Sequence, residues 1–212
     1  MLNEQLSLPP KLRSKPMITH NIVKYFYSSM LSYLEQLPHF LDLSLAARRT
    51  LLRRNFRTAA TLHSMFVVRQ TNALDNQAYA IGCSHVYGHE NMSEWRRYVS
   101  QLEPNDTLVK LMLLIIAFAD NASAVRINDD EELVASSSAT AHIPVQHTLV
   151  TMFWKYLTYQ YGDVEAVRRL NSLMQYVLNI LQWTEVKCTG EHRNMIDGIV
   201  QSTWQSLTLD HQ

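Results

Sequence analysis

The stretch that decides the fold runs from Tyr33 to Arg53 and reads YLEQLPHFLDLSLAARRTLLR. From Met17 onward, and into the start of this stretch, apolar residues recur at steps of three and four. This period predicts an amphipathic helix. Pro38 ends that helix, because the residue before a proline avoids the helical conformation. After a short connection, Ser44 suits the N-cap of a second long helix that continues to about Arg69. The stretch therefore predicts two long helices joined by a tight connection.

The composition limits the class of protein. The chain has 212 residues, of which 47% are hydrophobic and 18% charged, as in an ordinary globular fold of one large domain. Lys and Arg together equal Asp and Glu at 19 each, so the strongly basic balance of a nucleic-acid-binding protein is missing. The longest apolar run, Leu111 to Ala119, is too short to cross a membrane. With no secretory signal evident near the start, we expect an intracellular protein without direct nucleic-acid or membrane contact.

The rest of the chain also favours helices. Residues 1–16 read as a basic, proline-containing linker, and residues 17–212 as one domain. Residues 71–90 fit either a small β-hairpin or an irregular loop, and residues 121–142 a polar surface loop. Asp106 is expected to cap a helix that is apolar on every side and so belongs at the centre of the protein. Further helices are predicted at Ser93–Gln101, Asp106–Asp120, Val145–Tyr161, Asp163–Lys187 and Arg193–Leu209, which makes the chain all-α.

Motifs for metal or covalent chemistry are missing from the sequence. His85 and His89 are four residues apart, but Gly88 lies between them in a turn-rich stretch, and there is no HExxH pattern. Cys83 and Cys188 cannot form a four-sulfur zinc site; two free buried thiols are favoured over one bridge. Glycine-rich phosphate loops and GxSxG elbows do not occur. We therefore expect a protein that is not an enzyme and holds no metal or cofactor.

The stretch from Tyr33 resembles the signature of nuclear hormone receptor ligand-binding domains. In that family an aromatic-Ala-Lys triplet is followed at fixed spacing by Phe-x-x-Leu, then Asp-Gln, then Leu-Leu-Lys. Here Tyr33, Phe40, Leu43 and Leu51–Arg53 fall in register without a gap. The likeness covers residues 17 to about 187 and implies a layered helical sandwich of this type, with room for one small β-hairpin. The family's DNA-binding zinc module is missing.

The resemblance implies a module that binds a lipophilic small molecule, a partner protein or both, and modulates transcription in the nucleus, the cytoplasm or both. The alternative is a structural module on the same fold, with a collapsed pocket, that forms a homodimer or heterodimer. The family's pocket uses three long helices. In this chain they supply Val23, Phe26, Met30, Met65, Phe66, Arg69, Tyr176 and Ile180.

The coactivator groove of the family is altered in this chain. The resemblance places it on Glu35, Arg48, Arg49, Leu52 and Arg53. Glu35 replaces the Lys that holds the carbonyl end of a bound LxxLL helix, and a helix C-terminus repels an anion. Arg49 stands where an apolar residue floors the groove, and the activating-helix motif at residues 195–200 has its acid one position early and a Gly inside. We therefore expect coregulator peptides to bind weakly or not at all.

Overall fold

The described part of the chain is entirely helical. The computed structural model describes residues 10–119, 142–184, 194–199, 201, 202 and 205, and this part contains no strand. An all-α fold is thus confirmed for the described residues. In order, the elements of the longer ranges are α1 (Pro10–Leu34), α2 (Pro38–Leu41), α3 (Leu45–Gln70), a 3₁₀ turn (Ala73–Asp75), α4 (Gln77–Tyr87), α5 (His89–Gln101), α6 (Asp106–Ala117), α7 (Ile143–Tyr161) and α8 (Asp163–Gln182).

The tight connection predicted around Pro38 is present. Helix α1 ends at Leu34, and Pro38 occupies the first turn of the short helix α2, where its missing N–H leaves no bond unmade. The Ser44 hydroxyl then accepts a hydrogen bond from the Ala47 amide at 3.2 Å and caps α3. The predicted cap and the predicted extent of the second long helix are both confirmed.

Helix α3 lies at the centre of the described fold. It packs against α1 on one side and α6 on another, and it also contacts α5 and α8. Helix α6 also packs against α7, and α7 packs against α8, while α4 packs against α1 and α5. The sequence predicted α6 as the central helix, but Leu111, Leu114 and Ile115 on α6 are only half-buried. The core is therefore organised around α3, which carries far more polar residues.

Residues 71–90 form neither a β-hairpin nor an irregular loop, which corrects that prediction. The Asn76 side chain accepts a hydrogen bond from the Tyr79 amide at 3.1 Å and starts helix α4. Gly82 suggested a turn, yet it lies where α4 crosses α1, and a Cβ there would collide with the Thr19 hydroxyl. Gly88 has a positive φ of 84° and separates α4 from α5. The glycines thus mark a close helix crossing and a helix boundary.

Several helix starts differ from the prediction. Helix α5 begins at His89 and not at Ser93, and α7 begins at Ile143 and not at Val145. Helix α1 begins at Pro10, within the predicted linker, because proline suits the first helical turn. Helix α6 is capped by Asn105, whose side chain accepts from the Thr107 and Leu108 amides at 3.0 and 3.2 Å, and Asp106 is its first residue. Helix α8 does begin at Asp163 as predicted, and Gly162, with a φ of 74°, occupies its N-cap position.

Several predicted segments extend beyond the described residues. Most of the polar loop at 121–142, the end of the helix predicted to Lys187, Cys188 and most of the last predicted helix lie outside them. Residues 194–199 are helical, and Met195, Ile196 and Ile199 in this segment are buried. None of the helices in the described part combines the length and apolarity needed to cross a membrane.

Candidate functional site

The residues predicted to line a pocket belong to the hydrophobic core. Met30 and Met65 have no exposed surface, Ile180 is 1% exposed, and Val23 and Tyr176 are also buried. Phe26 and Phe66 are half-buried and pack against the same cluster. The cleft beside Asp75 and Ile81 and the small void beside Leu52 are lined by none of the eight predicted pocket residues.

Tyr176 joins three of the helices in this region. Its hydroxyl, on α8, donates to the Tyr98 carbonyl of α5 at 2.8 Å and lies 3.8 Å from the Met65 sulfur of α3. The Tyr98 and Tyr176 rings meet edge to face with centroids 6.4 Å apart. Burial raises the pKa of Tyr176, and the positive charge of Arg69 opposes part of that rise. The hydroxyl therefore stays protonated and satisfies a backbone acceptor in the interior.

Arg69 is engaged by the protein itself. Its guanidinium donates to the carbonyls of Leu102 and Glu103 and, at 2.8 Å, to the Asp106 carboxylate. The same group lies 5.7 Å from the centre of the Phe66 ring. Arg69 therefore fixes the end of α3 to the connection between α5 and α6. The donors of these three bonds are not available to a ligand.

The connection at residues 102–105, here called the α5–α6 loop, joins four helices. Besides its bonds to Arg69 of α3, its Glu103 carboxylate pairs with Arg169 of α8 at 3.3 Å. The Asn105 amide nitrogen lies 3.1 Å from the Tyr156 hydroxyl and 3.0 Å from the Tyr161 hydroxyl of α7. Since Asn105 also caps α6, this short loop connects α3, α6, α7 and α8 through side chains.

The predicted groove residues divide between the core and the surface. Leu52 is 2% exposed and borders a small internal cavity of about 10 Å³, so it is packed inside the fold. Arg48 and Arg49 are half-buried, whereas Glu35 and Arg53 are exposed. Arg49 and Arg53 are one helical turn apart on α3 and so lie on the same side of that helix.

The segment at 194–199 is anchored to α3. Its apolar side chains enter the core, and the Asp197 carboxylate forms an ion pair with Arg57 of α3. The carboxylate is 53% exposed, while the arginine side chain is only 12% exposed. The acid of the predicted activating-helix motif is therefore held by a residue of the central helix.

Helix α3 contains a buried polar cluster that the sequence analysis missed. His63 Nε2 lies 3.0 Å from the Ser29 hydroxyl of α1, and its ring stacks on Tyr33 with centroids 6.1 Å apart. Burial lowers the pKa of His63 to about 4 and raises that of Tyr33. Asn55 donates to the carbonyls of Ala117 at 3.1 Å and Ala119 at 2.6 Å, and so satisfies the end of α6. The available signal was a row of uncharged polar residues at three-residue steps along α3, namely Asn55, Thr58, Thr61 and Ser64.

An open cleft lies between the 3₁₀ turn, α4 and α5. Its volume is about 440 Å³, within the range of small-molecule sites. The lining is mixed, with the exposed Ile81 and the buried Met92 beside His89, Arg96 and Asp75. The sequence analysis proposed none of these residues. Among the described residues, no three His, Cys, Asp or Glu side chains converge as metal ligands would.

Helix α8 presents an apolar stripe on its outer side. Val164, Val167, Met174 and Leu178 are 69%, 56%, 55% and 53% exposed. With the exposed Asn171 and the half-buried Leu181 they form one row, here called the α8 stripe. Their alternating steps of three and four residues are visible in the sequence, but the sequence alone does not tell which side of a helix faces the core.

No family model matches this chain, and neither a curated protein nor a solved structure shows significant similarity to it.

Proposed function

We propose that this chain is a helical protein-interaction module of the nuclear receptor ligand-binding type, with a filled interior and no DNA-binding module of its own. Such a module modulates transcription by binding a partner protein, in the nucleus, the cytoplasm or both. The observation that carries the proposal is the α8 stripe, because a row of exposed, large apolar side chains is typical of a protein contact surface.

The arrangement around α3 supports the fold type within this proposal. The resemblance places its signature across the end of one long helix and the start of the next, and the described chain turns there at α2 and the Ser44 cap. Helix α3 then lies between α1 and α6, as the middle layer of a helical sandwich would. The support for this fold type therefore consists of the order of the helices and the contacts between them.

The packing of the predicted pocket favours protein contact over a lipophilic ligand. Met30 and Met65 are fully enclosed, and the Tyr176 hydroxyl, which lies beside the Met65 sulfur, donates to the Tyr98 carbonyl of α5. A ligand in that position would have to displace side chains that already fill the space. The interior side chains of a close-packed core leave few voids larger than a water molecule.

The test is to enlarge Met30 and to search for a bound lipid. If the interior is filled, Met30→Trp overpacks the core and lowers the free energy of unfolding by about 1–3 kcal/mol. Native mass spectrometry of the wild-type chain should then show the bare protein mass. Met152→Trp is the matched control, because Met152 is 51% exposed on α7 and a larger side chain there meets solvent.

The opposite pair of results would support a ligand pocket. Unchanged stability of Met30→Trp, together with a co-purifying lipid that the wild type carries and the variant loses, would contradict the filled interior and favour the lipophilic-ligand hypothesis.

A further inference from the structure

We propose that the cleft between the 3₁₀ turn, α4 and α5, here called the α4–α5 cleft, binds an α-amino acid with a large apolar side chain. Arg96 holds the carboxylate of this ligand, and Asp75 holds its ammonium group. The cleft shares no residue with the α8 stripe or with the eight residues of the predicted pocket. The inference therefore goes beyond the proposed function and does not depend on it.

The two helices turn faces of the same spacing toward the α4–α5 cleft. On each helix, lining residues follow one another at steps of four and three, which places them on one side of that helix: Gln77, Ile81 and Ser84 on α4, and His89, Ser93 and Arg96 on α5. Only Gly88 separates the two helices, so the residues next to it lie at one end of the cleft. Gln77 and Arg96 lie at the other end, where the 3₁₀ turn with Asp75 precedes α4.

The walls of the cleft are held in place by the core. Tyr79 and Cys83 of α4 are buried on another side of that helix, and Trp95 and Tyr98 of α5 are buried likewise. The 3₁₀ turn packs against both α3 and α4. A ligand therefore meets a site that is largely formed before it binds, as is usual for small-molecule sites.

Two opposite charges line the same end of the cleft without pairing. Arg96 and Asp75 are both exposed, yet neither forms an ion pair with any residue in the part of the chain that the structure describes. Burial raises the pKa of Cys83 on α4 to about 11, and the hydrogen bond with Tyr79 and the positive charge of Arg96 oppose part of that rise. The guanidinium is therefore close to α4, across the cleft.

A zwitterion fits this pair of charges better than a simple ion does. A guanidinium can donate two parallel hydrogen bonds to one carboxylate, and an ammonium group donates to a carboxylate. An α-amino acid carries both groups on one carbon, so both lie at the same end of the ligand. A plain anion beside Arg96 would be repelled by Asp75, and a plain cation beside Asp75 would be repelled by Arg96.

The middle of the cleft suits an apolar side chain. Met92 is buried there, and Ile81 leaves 49% of its surface exposed. A hydrocarbon group lying over Ile81 would remove this surface from water, which is favourable. The volume of about 440 Å³ has room for a side chain as large as that of phenylalanine. Because the cleft is open on one side, we expect a modest dissociation constant of about 0.1–1 mM for such a small ligand.

Isothermal titration calorimetry of the full chain with L-phenylalanine tests the proposal. Two analogues of this probe each lack one charged group: phenylpropanoate lacks the ammonium group, and phenylethylamine lacks the carboxylate. The wild type should bind each analogue about tenfold more weakly than L-phenylalanine, because one charge of the cleft is then left without its partner.

Two variants assign each charge of the cleft to a group of the ligand. Arg96→Gln should weaken the binding of L-phenylalanine about tenfold or more, and it should no longer distinguish L-phenylalanine from phenylethylamine. Asp75→Asn should weaken it to a similar extent and should no longer distinguish L-phenylalanine from phenylpropanoate.

Two matched variants control for the loss of charge alone. Arg97→Gln and Asp42→Asn remove the same charges at exposed positions that do not line the cleft. Both should bind L-phenylalanine like the wild type, and circular dichroism should show that all four variants are folded.

Three results would overturn the proposal. The first is no binding of L-phenylalanine by the wild type at ten times the expected dissociation constant. The second is binding that neither Arg96→Gln nor Asp75→Asn weakens. The third is equal binding of L-phenylalanine and phenylpropanoate by the wild type, which would show that the ammonium group is not recognised.

Discussion

Helices α3 and α8 treat polar and apolar residues in opposite ways. Helix α3 buries Asn55, Thr61, His63 and Ser64 in the middle of the fold. Helix α8 leaves the α8 stripe exposed while burying a different side. Composition alone would have placed α8 deeper than α3. Position between neighbouring helices, and not the count of apolar residues, decides burial in this protein.

The difference shows how a helix can tolerate buried polar side chains or exposed apolar ones. Buried polar groups are tolerated when they are hydrogen-bonded. Thr61, Ser64, His63 and the Asn55 amide nitrogen on α3 find partners in their own helix, in α1 and in α6, whereas the Asn55 amide oxygen has none. Exposed apolar groups are tolerated singly, but a continuous row of them usually has a partner. The polar side chains of α3 are thus largely satisfied inside the fold, whereas the α8 stripe is the surface for which we propose an external partner.

The sharpest test of the comparison makes the same substitution, valine to glutamine, once on each helix. Val68 on α3 is 1% exposed, whereas Val167 on α8 is 56% exposed. Val68→Gln should lower the free energy of unfolding by about 3–5 kcal/mol, because it removes an apolar contact and buries an amide. Val167→Gln should change it by less than about 0.5 kcal/mol. Urea unfolding followed by tryptophan fluorescence, at a concentration where the chain is monomeric, measures both.

Equal losses for the two variants would show that the outer side of α8 is packed within a single chain. The comparison between the helices would then fail.

The next effect in size concerns Asn55, which connects α3 to the end of α6. Asn55→Ala should cost about 3 kcal/mol of unfolding free energy, since the buried Ala117 carbonyl and the half-buried Ala119 carbonyl lose their donor. Asn21→Ala, an exposed asparagine of α1, is the control and should stay within about 0.5 kcal/mol of the wild type. A loss below about 1 kcal/mol for Asn55→Ala would mean that other donors or water satisfy the α6 carbonyls.

The smallest of the three effects is the pH dependence carried by His63. Its folded-state pKa of about 4 lies below the ordinary value of 6.5, so the unfolded chain binds the proton more readily between these pH values. The stability contributed by neutral His63 is therefore complete above about pH 6.5 and is lost as the pH falls towards 4. We expect about 2 kcal/mol of this loss to disappear in His63→Gln.

Comparing urea unfolding of wild type and His63→Gln at pH 7 and pH 4.5 isolates this residue, because the other titrating groups are common to both proteins. Parallel losses in the two proteins would place the proton elsewhere.

The sequence predicted the helices where local signals agree with the final packing. Pro38, the Ser44 cap and the apolar period of α3 act within a few residues, and the structure confirms them. The hairpin prediction was wrong because Gly82 is required by a distant helix, α1, and not by a local turn. The bonds of Asn55 join residues more than sixty positions apart, and periodicity does not report such contacts.

The contacts of the predicted site residues depend on the same long-range packing. Met65 and Tyr176 do come together, as the resemblance implied, but the Tyr176 hydroxyl bonds to the Tyr98 carbonyl. Arg69 was predicted to face a ligand, and its bonds instead lead to the α5–α6 loop. Which polar group a long side chain finally reaches depends on loop positions that local pattern does not determine.

The α5–α6 loop also determines where the chain can be cut and rejoined. Surface loops are usually the best places for new termini in a circularly permuted protein. Here the loop between α5 and α6 supplies the partners of Arg69, Arg169 and two tyrosines, so a break after Pro104 would detach several helices at once. Helices α7 and α8 are connected by one residue, Gly162. It is exposed, and it has no side chain that other residues could bind. New termini belong there, even though that junction is the shorter of the two.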